Sequence, residues 1–169
     1  MAGKADFSPE EWQQVLGGVF LAGFAVSAAE PSGLWGMLKE TFASGRAVLE
    51  ARATAGDNAL MKAIVADFQT SEGRSDAQKF VKERLEGAKG EELKQRAIEA
   101  VRQAAATVEQ KAPLEATAFK SWLLKIVSRV AEAATEGGFL GIGGVPVSAA
   151  ERAALDEITA ALETRSLGG

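Results

Sequence analysis

The sequence predicts an all-α, single-domain bundle of about seven helices. Three observations lead there. Apolar residues recur at steps of three and four in one segment after another. Ala, Glu, Lys, Arg and Gln are abundant while the prolines number 4, a composition that favours helix. Boxes of the type Ser-x-x-Glu/Gln alternate with glycine stops, the punctuation expected of successive helices. A chain of 169 residues supports one core, so 1–169 is read as one domain.

Ser8-Pro9-Glu10-Glu11 opens the first helix. Ser8 can accept from the Glu11 amide while Glu11 reaches back, Pro9 sits where a missing N–H costs nothing, and Phe7 can staple onto Trp12. From Val15 the helix is apolar nearly all round, with Gly17, Gly18, Ala22, Gly23, Ala25, Ala28 and Ala29 offering small surfaces. It should be central, its neighbours close against the glycines. The apolar run from Val15 to Ala29 falls short of the roughly 18 to 20 residues that cross a bilayer, so no membrane span is expected.

After Pro31-Ser32-Gly33, residues Leu34, Leu38, Phe42, Gly45 and Leu49 predict a second helix ending at Gly56. Asp57 is positioned to cap a third, with Leu60, Met61, Ile64, Val65 and Phe68 inward. The segment from Thr70 to Ser75 reads as a loop, and Ser75-Asp76-Ala77-Gln78 as the box opening a short helix through Phe80, Val81 and Leu85 to Gly87. Glu91 to Lys111 is the next helix, with Leu93, Ala97, Ile98, Val101, Ala104, Ala105 and Val108 inward. Glu92, Lys94, Arg96, Glu99, Arg102 and Glu109 are assigned to its outer face. Pro113 breaks it, and from about Leu114 a helix places Phe119, Trp122, Leu123, Ile126, Val130, Ala133 and Ala134 inward. Ser148-Ala149-Ala150-Glu151 opens a last helix with Leu155, Ile158 and Leu162 inward.

Two glycine-containing turns are unusual in being apolar. Ala28 to Met37 and Ala133 to Ile142 align at a constant offset, with Ala28 and Ala133, like Gly36 and Gly141, standing 105 positions apart. The expectation is a pseudo-twofold repeat relating roughly 8–56 to 113–165, with 57–112 as connecting helices. Leu34, Trp35 and Met37 in the first turn, and Phe139, Leu140, Ile142 and Val145 in the second, are large apolar side chains where loops are normally polar. They either fold back as lids over the bundle ends or form a patch that another protein or a second copy covers. If exposed, Trp35 and Phe139 would be the anchors.

Composition excludes several functions. The chain has no His and no Cys, so it offers no Ser-His-Asp or Cys-His catalysis and no zinc site of the usual ligands. A four-helix di-iron site needs Glu-x-x-His motifs and is excluded with them. A net charge of -4 argues against nucleic acid, because binding phosphates needs a concentrated positive surface. Gly141-Ile142-Gly143-Gly144 follows a helix rather than a strand and precedes no Lys-Ser/Thr pair, so it does not read as a phosphate loop. No cofactor is implied. The opening Met1-Ala2-Gly3-Lys4-Ala5-Asp6 lacks the charged, apolar and small-residue progression of a leader, and a cytoplasmic protein is expected.

Val130-Ala131-Glu132-Ala133-Ala134, Gly137-Gly138 and Val147-Ser148-Ala149-Ala150-Glu151 together resemble the TerB-like (tellurite-resistance) helical family. In that family an Ala- and Val-rich helix meets an acidic, glycine-containing turn, and Ser-x-x-Glu opens the following helix. The resemblance implies a helical fold and a metal-associated role in stress response. The family's turn has Asp followed by Gly; here the pair is Glu136-Gly137, followed by the apolar run Phe139 to Val145. Glu136 and Glu151 are the candidate metal ligands, binding a hard cation through oxygens. The alternative for Glu151 is service as the acid of a capping box.

The leading functional expectation is a non-enzymatic interaction or assembly protein that works through the apolar turns, its partner another protein or a second copy. Two alternatives accompany it: a carboxylate metal-binding protein, and a carrier of an apolar small molecule whose cavity the glycine-rich first helix lines.

Overall fold

The computed structural model describes residues 1–27, 51–136 and 149–163. Over these residues the chain is helical, with no strand, as the periodicity predicts. A 3-10 turn at Lys4–Asp6 precedes six α-helices: α1 (Pro9–Ser27), α2 (Ala59–Gln69), α3 (Ser71–Leu85), α4 (Glu91–Lys111), α5 (Pro113–Glu136) and α6 (Ala149–Glu163). Residues 51–54 are helical as well.

The first helix starts as its sequence predicts. The Ser8 backbone N–H donates to Glu11 Oε2 at 2.8 Å and the Glu11 N–H to Ser8 Oγ at 3.2 Å, so each residue satisfies an amide the other leaves open. The rings of Phe7 and Trp12 lie 5.4 Å apart. Every residue from Val15 to Ala25 is buried, and α1 packs against α3, α4, α5 and α6. Its glycines make this enclosure possible. A Cβ at Gly17 would overlap the Phe80 ring of α3, and one at Gly18 would overlap the Ala104 Cβ of α4 and stand 3.2 Å from the Ala100 carbonyl oxygen. A Cβ at Gly23 would touch Val130 of α5 at 3.4 Å.

Helix directions follow from side-chain pairs. Glu11 near the start of α1 pairs with Lys111 at the end of α4 at 3.1 Å, while Gly18 meets Ala100 and Ala104 further back along α4; the two helices are antiparallel. Lys120 pairs with Glu109 at 3.2 Å across the α4–α5 connection, so α5 reverses again and runs parallel to α1. Pro113 ends one helix and begins the next, occupying the first position of α5, where its fixed φ fits and its missing N–H is not needed. Gln13 donates to Asp76 at 3.1 Å and Gly17 faces Phe80, which sets α3 parallel to α1 too. Helix α2 lies across the end where α1 and α5 begin: Asn58 at one extremity donates to Glu115, and Asp67 at the other accepts from Trp12.

Three local expectations are corrected. Asp57 does not cap α2; Asn58 does, accepting from the Met61 N–H at 3.1 Å, while Asp57 pairs with Lys62 at 2.9 Å. Residues 71–75 are not a loop but the first turn of α3, capped by Thr70, whose Oγ1 accepts from the Gly73 N–H at 2.9 Å. The box at Ser75 to Gln78 is therefore helix interior, and its Asp76 serves Gln13 instead. The reason lies at Gly73, where a Cβ would collide with the Asp67 carbonyl; α2 and α3 fold against each other so tightly that only glycine fits. Lys94, assigned to the outer face of α4, is 7% exposed. The apolar stripes of α2 and α4 are otherwise buried as predicted, and Phe119, Trp122, Leu123 and Ile126 fill the core side of α5 with Val127 beside them.

The two turns behind the expected twofold repeat lie outside the described residues. Within those residues, Val15 to Ala25 of α1 are all buried, while α5 keeps Lys125, Ser128, Arg129 and Glu132 exposed.

At an open helical site Gly→Ala gains roughly 0.5–1 kcal/mol. At Gly18 the added methyl meets Ala104, and overpacking costs about 1–3 kcal/mol, so Gly18→Ala is expected to lower the urea midpoint. Adding Ala104→Gly should recover part of that loss. A Gly18→Ala protein more stable than the parent would show that the close α1–α4 approach does not govern stability.

Candidate functional site

The bundle has two unlike ends. At one, where α1 and α5 begin and α4 finishes, α2 lies across the helices and polar contacts tie it down. Trp12 is 1% exposed, and its indole N–H donates to Asp67 Oδ2 at 2.7 Å. Lys4 reaches the same carboxylate at 3.2 Å. Trp122 finds comparable relief beside residues 51–54, donating to the Ala51 carbonyl at 3.2 Å and to Thr54 Oγ1 at 3.0 Å. Buried indole N–H groups need such acceptors, and here the acceptors come from segments distant in sequence.

Toward the other end, the described part of α1 reaches Ser27 and that of α5 reaches Glu136. The two helices are parallel neighbours that meet where Gly23 faces Val130 and Ile126, so both run toward this end. Helix α4 begins at the same end, and α6 is fastened to it there. Lys94 Nζ lies 2.7 Å from Glu91 Oε1 and 3.1 Å from Glu157 Oε1, and Gln95 Nε2 donates to Glu157 Oε2 at 3.0 Å. Both oxygens of one α6 carboxylate are held by consecutive residues of α4. The Glu91 carboxylate, chiefly through its bond to Lys94, holds Lys94 above the usual ammonium range, and Lys94 in turn holds Glu91 below the carboxylate range.

The residues singled out as an interaction surface, Leu34, Trp35, Met37, Phe139, Leu140, Ile142 and Val145, lie outside the described residues. Of the candidate metal ligands, Glu136 closes α5 with its side chain outside the described set, and Glu151 is buried in the first turn of α6. Among the described residues no group of three His, Cys, Asp or Glu side chains is placed to hold a metal ion, and no helix is long and apolar enough to cross a membrane. Gly17, Gly18 and Gly23 are each met by a neighbouring side chain.

Sequence reasoning missed Lys94 and Glu157. A signal was present: Lys94 stands four residues before Ile98 and seven before Val101, on the same face as the buried stripe. Residue type overrode position, because lysine is seldom buried unless paired, and the partner lies 63 residues away. Compared with protein families, curated proteins and solved structures, the chain matches none.

Two outcomes follow from these contacts. Asp67→Ala strands the buried Trp12 N–H and should cost about 1–3 kcal/mol. Asp67→Asn keeps an acceptor oxygen and loses only the half-exposed Lys4 pair, worth roughly 0–1 kcal/mol. Equal urea midpoints for the two variants would remove Asp67 as the acceptor that matters.

The second outcome concerns acid. The Glu11 carboxyl is held below its usual range first by the Ser8 N–H and then by Lys111, and Glu99 by Arg102. A carboxyl whose folded value is lowered stabilises fully above its unfolded value, about 4.3 for glutamate. That contribution is lost as pH falls through the folded value. Stability should therefore decline below about pH 4.3, less steeply in Glu11→Gln, as urea unfolding at stepped pH would record.

Proposed function

We propose that this chain is a non-enzymatic, cytoplasmic assembly protein whose apolar turns, 28–37 and 137–147, act together as one adhesive surface for a second copy or another protein. The observation that carries the proposal is the parallel pairing of α1 with α5. Ser27 and Glu136, the residues from which the two apolar segments continue, stand at the same end of the bundle on neighbouring helices. The opposite end is occupied by α2 and its polar ties to Asp67 and Glu115. Trp35 and Phe139 are the anchors, since large aromatic side chains dominate contact energies when desolvated. The stress-associated role implied by the tellurite-resistance resemblance rests on Glu136-Gly137 and the Ser148 to Glu151 box and adds no residue to this surface.

Light-scattering mass measured over a concentration series tests the proposal. The parent should rise above the 17.6 kDa of one chain, and Trp35→Ser or Phe139→Ser should return it to that value. A parent that stays at one chain's mass at all concentrations would sink the self-assembly version.

A further inference from the structure

We draw no further inference here: the strongest candidate, the side-chain cluster between α4 and α6 in which buried Lys94 meets Glu91 and Glu157 while Gln95 holds the second Glu157 oxygen, belongs to the site already described, and its polar groups satisfy one another with nothing in the structure to point to a ligand.

Discussion

Everything in this fold depends on how closely other helices approach α1. From Val15 to Ala25 every residue of that helix is buried, so this stretch is not a surface helix and must be surrounded. Surrounding one helix with four others requires that some approach nearer than ordinary side chains allow. Gly17 and Gly18 supply this on adjacent faces, one receiving the Phe80 ring and the other the Ala104 methyl. Dense interiors penalise both voids and overlaps. The glycines of α1 and the side chains facing them therefore act as matched pairs, and the order of α3, α4 and α5 around α1 follows from them.

Polar groups finish what packing begins. Burying Trp12 and Trp122 deep in the bundle obliges the structure to find an acceptor for each indole N–H, and Asp67 in one case and Ala51 with Thr54 in the other meet that need. These bonds link segments 55 and 71 residues apart, so they help define which helix crosses which. At the opposite end Lys94 plays a corresponding part for α6. The two ends thus differ in chemistry: one is closed by α2 and its acceptors, while toward the other α6 is clasped by Lys94 and Gln95.

Much of this was legible along the chain. The Ser8 box, the Phe7–Trp12 staple, the inward stripes of α2, α4 and α5 and the central place of α1 all arise from periodicity and capping, which act over a few residues. The errors cluster where a distant contact outweighs a local preference. Ser75 to Gln78 has the form of a helix start, yet Thr70 starts α3 because the backbone of Asp67 closes over Gly73. Asp57 and Asn58 are both capable caps, and one residue of register decides between them. Lys94 reads as solvated until Glu157 is brought beside it. The apolar turns at Trp35 and Phe139 stand out by composition and lie outside the described residues.

Periodicity and capping along the chain are enough to make it helical, to place most helix starts and to choose the faces they bury. Composition also determines which chemistries are absent, since a chain without His or Cys has no thiolate or imidazole to use. The parallel run of α1 and α5, the place of α2 across the end where they begin, and the clasp of α6 by a buried lysine come from contacts between distant segments. Short-range periodicity carries no record of which helix meets which. That is settled by the fit of glycine to side chain and of donor to acceptor between residues tens of positions apart.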